Sequence, residues 1–194
     1  SEGIYRYTLN QKTGELTDLQ MVAQLENPSY LTISGKTLFA VTEQQSGSQA
    51  ISYLIGNDGL LNPVSSATIS GVHPCFVEFS DTLNTLLVAN YTSGSLSIFE
   101  AQIDGRIIPN ETVIQHEGGP QTDRQEGPHA HSITIAPNNK TAYAADLGAD
   151  RVFLYNLEDL NAPLVPIVVS PGAGPRHIAF HPKGKVMALL NELN

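Results

Sequence analysis

The sequence predicts an all-β chain, a β-propeller with four-stranded antiparallel blades, and three observations predict it. One short strand, turn and second strand recur four times along the chain. The copies are spaced at about the 40–50 residues of a propeller blade. Their apolar residues follow strand periodicity and are rich in β-branched and aromatic types, which contradicts a helical solenoid of similar period.

The elements follow in order. Ile4-Tyr-Arg-Tyr, the turn Lys12-Thr-Gly and Leu19-Gln-Met-Val read as the third and fourth strands of a blade, so residues 1–27 make half a blade. First strands then come at Pro28-Ser-Tyr-Leu-Thr-Ile, Pro74-Cys-Phe-Val-Glu-Phe, Ala130-His-Ser-Ile-Thr-Ile and Pro175-Arg-His-Ile-Ala-Phe, each apolar at its fourth and sixth places. A polar turn follows each, and then a second strand: Leu38-Phe-Ala-Val, Leu86-Leu-Val-Ala, Ala142-Tyr-Ala-Ala and Val186-Met-Ala-Leu-Leu. Third strands appear at Ile51-Ser-Tyr, Leu96-Ser-Ile-Phe and Val152-Phe-Leu-Tyr, and Asn57-Asp-Gly and Asp104-Gly supply hairpin turns into the fourth. The copies begin at 28, 74, 130 and 175, in steps of 46, 56 and 45 residues. One domain is expected, with whole blades at 28–73, 74–129 and 130–174 and a second half blade at 175–194. The halves either join to close a four-bladed ring or belong to a larger propeller; the absence of a turn after Asn194 favours the larger one.

Composition limits the function. Charged residues are only 15% of the chain, and 19 acidic against 10 basic residues leave a net charge of −9, which opposes a nucleic-acid partner. No apolar run reaches the roughly 18 residues that cross a bilayer, so no membrane partner is expected. The single cysteine, Cys75, excludes an internal disulfide and fits a reducing compartment, so a cytoplasmic location is expected. No phosphate-cradling glycine loop, zinc-binding helix or serine elbow occurs.

The repeat also maps chemistry. First strands line a propeller's channel, so equivalent places form rings. The second place holds Ser29, Cys75, His131 and Arg176, variable and mostly polar where the packing places repeat. Second strands end in Thr42-Glu43, Asn90-Tyr91, Asp146-Leu147 and Asn191-Glu192. Antiparallel strands return near their origin, so Glu192 is expected beside Arg176, and His131 on the neighbouring blade shares the mouth. Each has a plainer reading: Arg176 and Glu192 as a structural ion pair, His131 as a polar lining residue, Asp146 and Asn90 as turn caps. His73, His116 and His181 are expected to face solvent, and Cys75 to be a small buried residue. The longest step contains the irregular segment from Gln115 to His129, where Arg124 offers a second cation.

Gly118-Gly-Pro, Arg124-Gln-Glu-Gly-Pro-His-Ala-His-Ser, Ala145-Asp-Leu-Gly-Ala-Asp-Arg, Gly174-Pro-Arg-His-Ile-Ala-Phe-His-Pro and Asn191-Glu-Leu, taken in this order, resemble the lactonase family of seven-bladed propellers. That family includes bacterial 6-phosphogluconolactonases and fungal carboxymuconate-lactonizing enzymes. The resemblance covers essentially the whole chain. It implies about seven blades and ~340 residues, so this chain holds about four blade-equivalents. It also implies hydrolysis of a sugar δ-lactone, 6-phosphogluconolactone in the pentose phosphate pathway, with His131, Arg176 and Glu192 as catalytic groups. Contacts to the lactone are expected from Arg124, His129, Asp146, His177 and Asn191; no cofactor or metal is expected. The alternatives are a non-catalytic propeller scaffold that binds a metabolite or peptide, and a lactonizing enzyme for a carboxymuconate-like substrate.

Overall fold

The structure, a computed structural model, describes residues 2–119 and 122–194; Ser1 and, within the expected long loop, Pro120 and Gln121 lie outside the described residues. Among the described residues, every strand lies in an antiparallel sheet. Three sheets have four strands: β3 (Pro28–Ser34), β4 (Thr37–Thr42), β5 (Gln49–Ile55) and β6 (Leu61–Thr68); β7 (Pro74–Ser80), β8 (Thr85–Asn90), β9 (Ser95–Glu100) and β10 (Thr112–Gln115); β11 (Ala130–Ile135), β12 (Thr141–Asp146), β13 (Arg151–Asn156) and β14 (Asp159–Val168). Each runs first to fourth strand in sequence order. The ends form two hairpins, β1 (Gly3–Leu9) with β2 (Leu16–Gln24) and β15 (Pro175–Phe180) with β16 (Met187–Asn191). These hairpins are separate sheets among the described residues, so the chain is an open arc and not a closed four-bladed ring.

The first strands touch one another in order, β3 to β7 to β11 to β15, which puts them innermost. The second strands explain the core. Leu86 and Val88 of β8 pack with Phe39 and Val41 of the preceding sheet, while Leu87 and Ala89 pack with Ile133, Ala142 and Ala144 of the following one. A strand covered on both faces needs apolar residues on both, and the four central places of this one, Leu86-Leu-Val-Ala, supply them. The expected turns between first and second strands hold a residue in the left-handed region in all four copies: Gly35, Asn84, Asn139 and Gly184. Asparagine and glycine are the residues that tolerate that conformation. No helix among the described residues is long and apolar enough to cross a membrane.

Leu87 is fully buried between two blades. Leu87→Ala is expected to cost about 2–5 kcal/mol, the usual range for a leucine cavity in a core, and to lower the melting temperature. A melt unchanged within a degree would contradict the two-sided packing.

Candidate active site

The strand register accounts for the variable ring. In each inner pair the register slips once: Pro28 faces Thr42 but Tyr30 faces Val41, Pro74 faces Asn90 but Phe76 faces Ala89, Ala130 faces Asp146 but Ser132 faces Ala145, and Pro175 faces Asn191 but His177 faces Leu190. The extra residue is Ser29, Cys75, His131 or Arg176. All four blades therefore carry a β-bulge at the same place, and a bulge frees one residue from the ladder and re-aims its side chain. The second strand's exit is equally fixed. The backbone N–H groups of Glu43, Tyr91, Leu147 and Glu192 donate to the carbonyls of Asn27, His73, His129 and Gly174 at 2.9, 2.9, 2.9 and 2.8 Å. Each blade thus delivers two side chains to the same end of the arc.

At that end His131, Arg176 and Glu192 converge. Glu192 Oε2 lies 3.5 Å from His131 Nε2 and 3.4 Å from Arg176 Nε, and its Oε1 accepts a hydrogen bond from Arg124 Nη2 at 2.6 Å. Burial raises the Glu192 carboxyl, but the Arg124 hydrogen bond and the charges of Arg176 and His131 outweigh it and hold the group below its usual range. Burial lowers His131 below the usual 6.5, opposed by a backbone hydrogen bond and by Glu192 and helped by Arg176 and His177. The site at neutral pH is therefore a carboxylate, a neutral imidazole and two guanidiniums. Arg176 Nε makes no hydrogen bond, so its contact with Glu192 is charge pairing on a side chain 43% exposed. That leaves guanidinium donors for a ligand oxygen.

The other expected contacts divide. Arg124 is at the mouth. His177 is there too, its ring centre 5.3 Å from that of His131, and burial followed by the Arg176 charge lowers its pKa. His129 is buried one layer behind, stacked on Tyr91 at 4.6 Å, with Nδ1 3.0 Å from the Tyr91 carbonyl. Asn191 Nδ2 donates to Asn194 Oδ1 at 3.1 Å, at the end of β16. Asp146 does not open on the mouth. It is fully buried, and it accepts from the backbone N–H groups of His129 and Ala149 at 2.8 Å each and from His116 Nδ1 at 2.6 Å. Its place in the sheet is that of a turn cap, as the plainer reading had it. Cys75 is held against backbone carbonyls, and burial pushes its thiol up to about 12, which removes it as a nucleophile.

His116 is not the solvent-facing residue expected. It is 3% exposed and stacks on Phe153 at 4.1 Å, because the Asp146 carboxylate in the next blade needs a donor where β10 ends. His181 is exposed as expected. Two further residues went unsingled in the sequence. Gln125, fully buried, donates to the Leu147 carbonyl at 2.8 Å and to Asp150 Oδ1 at 2.7 Å. Asp150 in turn accepts from the backbone of Gly172 and Gly174, at 2.7 and 2.9 Å. Gln125 thereby anchors the loop that carries Arg124, and Asp150 the turn that precedes Arg176. Gly148 allows the same loop to come close, since a Cβ there would collide with the Gly127 carbonyl.

Two arginines, two histidines and a glutamate, brought to one end of the arc by bulged inner strands, a second-strand exit and the loop before β11, define a propeller of enzyme-like construction. The chain belongs to the family whose model is described as Lactonase, 7-bladed beta-propeller, which matches residues 1–194. It is similar to a 6-phosphogluconolactonase of Bacillus subtilis, 35% identical over 198 residues and covering 100% of this chain and 57% of the relative. A 6-phosphogluconolactonase of Formosa agariphila is 34% identical over 204 residues, covering 99% of this chain and 58% of the relative. Among solved structures, the Pseudomonas aeruginosa periplasmic gluconolactonase superposes with a TM-score of 0.91 at 32% identity, over 99% of this chain and 58% of that one. The chain thus spans less than two thirds of the length of these relatives.

Proposed function

We propose that the protein hydrolyses a sugar δ-lactone, and that the substrate is 6-phosphogluconolactone, opened to 6-phosphogluconate in the pentose phosphate pathway of the cytoplasm. The 194 residues supply one partial propeller, with half blades at 1–27 and 175–194 continuing into the rest of a seven-bladed ring. The observation that carries the reading is the Glu192 carboxylate held between two guanidiniums and an uncharged imidazole. A lactone is an activated ester, so water needs a base and a cation where charge develops on the carbonyl oxygen. Glu192 is a weak base, because Arg124 and Arg176 stabilise its charged form. His131 takes the proton as water attacks the lactone carbon, and Glu192 stabilises the imidazolium. Arg176 holds the oxyanion. The ring C–O bond then breaks, the former ring oxygen receives the proton, and a hydroxy acid leaves. Arg124 faces the anionic tail of the substrate.

The test is a panel of δ-lactones, with and without phosphate, given to the full-length protein with spontaneous opening subtracted. Turnover above background, fastest on the phosphorylated lactone, is expected. Binding without acceleration would favour the scaffold reading instead.

The pH profile follows from His131. Its folded pKa is lowered, so it stays uncharged until the pH falls below the usual 6.5. The value of kcat/KM is therefore expected to hold from neutral pH down to 6.5 and to fall only at more acidic pH. An acid limb centred above 7 would remove His131 as the base.

A further inference from the structure

Tyr91 leaves β8 as Glu192 leaves β16 two blades further on, each through the equivalent backbone hydrogen bond. Its ring is fixed on several sides. One face stacks on His129 with ring planes 11° apart, and His129 is itself tied to Asp146 through its backbone N–H at 2.8 Å. The ring also meets His131 edge-on, with centres 5.3 Å apart and planes at 79°. Interaction with its hydroxyl, and then with Glu192, raises the Arg124 guanidinium above its ordinary value. Arg124 and His131 sit on opposite oxygens of Glu192, so one rigid phenol spans both ends of the cluster.

We infer that Tyr91 is a positioning residue of the lactone-opening site, fixing Arg124 through its hydroxyl and the His131 imidazole through its ring. The inference rests on the reading of this site as a lactone-opening centre. Two separable roles follow from the two contacts. The hydroxyl keeps Arg124 in place for the anionic end of the substrate and therefore acts on substrate binding. The ring keeps His131 aligned with Glu192 and sheltered from water, and therefore acts on the chemical step. The same column in the next blade holds Leu147, fully buried, so the backbone there does not itself require a phenol.

The test uses the full-length protein and two variants. Tyr91→Phe keeps the ring and is expected to raise KM about tenfold, the scale for losing one polar partner of a charged group, with kcat within about twofold of the parent. Arg124→Ala should raise KM as well, and the double variant Tyr91→Phe/Arg124→Ala should be no worse than Arg124→Ala alone, because the hydroxyl acts only through that arginine. KM increases that multiply would overturn the inference. Tyr91→Leu removes the ring, and the His131 titration followed by NMR, assigned with His131→Gln, should move up toward the ordinary histidine range as water reaches the imidazole. The groups facing His131 are Cys75 from β7, Arg176 and His177 from β15, and Glu192 after β16, and all of them remain in this variant. An unmoved titration would overturn the inference. This readout needs no turnover: if the parent opens no lactone, the functional reading fails, while the NMR result still decides whether Tyr91 sets His131.

Discussion

Arg176→Ala and Glu192→Gln in the full-length protein are each expected to lower lactone opening at least about 100-fold, the scale for losing one preorganised charge or the support of a general base. Glu192→Gln keeps the shape of the side chain but removes the charge shared by Arg124, Arg176 and His131. Arg176→Ala removes the guanidinium assigned to the oxyanion. Both side chains lie outside the packed clusters between blades, so the variants should fold like the parent. Steady-state assays beside thermal melts separate the two effects, and spontaneous opening is subtracted because an activated ester hydrolyses unaided. If both variants fold and turn over like the parent, the catalytic assignment is wrong and a binding scaffold becomes the better account.

Asp146→Ala is expected to destabilise the protein by about 3–5 kcal/mol, the scale for leaving several buried donors without their acceptor. The carboxylate is fully buried, and its removal leaves the N–H groups of His129 and Ala149 and the His116 Nδ1–H without their acceptor. Asp146→Asn keeps one acceptor oxygen and should lose less. Denaturant midpoints measure both. A loss below about 1 kcal/mol in the alanine variant would show that the three donors find other partners. Activity should fall too, since His129 is the face on which Tyr91 rests.

The strands were legible because their signal is local. A run such as Leu86-Leu-Val-Ala states its burial on both faces, and turns such as Asn138-Asn139 state where the chain reverses. The meeting of His131, Arg176 and Glu192 was legible because a repeat turns sequence offset into spatial position. The bulges were not: one unpaired residue per strand leaves no mark on an apolar pattern that reads the same on either side of it. His116 was misjudged for a related reason. A histidine before two glycines and a proline has the local features of a solvated loop, and the carboxylate that buries it lies 30 residues away on another blade. Gln125 and Asp150 escaped notice because their role, holding backbone against backbone, depends on the approach of two loops that only the folded chain brings together.

The unpaired residue on each inner strand has a consequence for how such a ring acquires new chemistry. It contributes no ladder pairing, while the residues on either side of it, such as Ala130 and Ser132, hold the register. A substitution at Ser29, His131 or Arg176 can therefore exchange hydroxyl, imidazole or guanidinium with little effect on the sheet behind it, whereas Cys75 packs against the core between blades. Each blade works as a socket, and the mouth as a palette filled one position at a time. A redesign toward another small molecule would begin with Ser29, whose hydroxyl donates only to the Pro74 carbonyl of its neighbour, and would leave the core untouched.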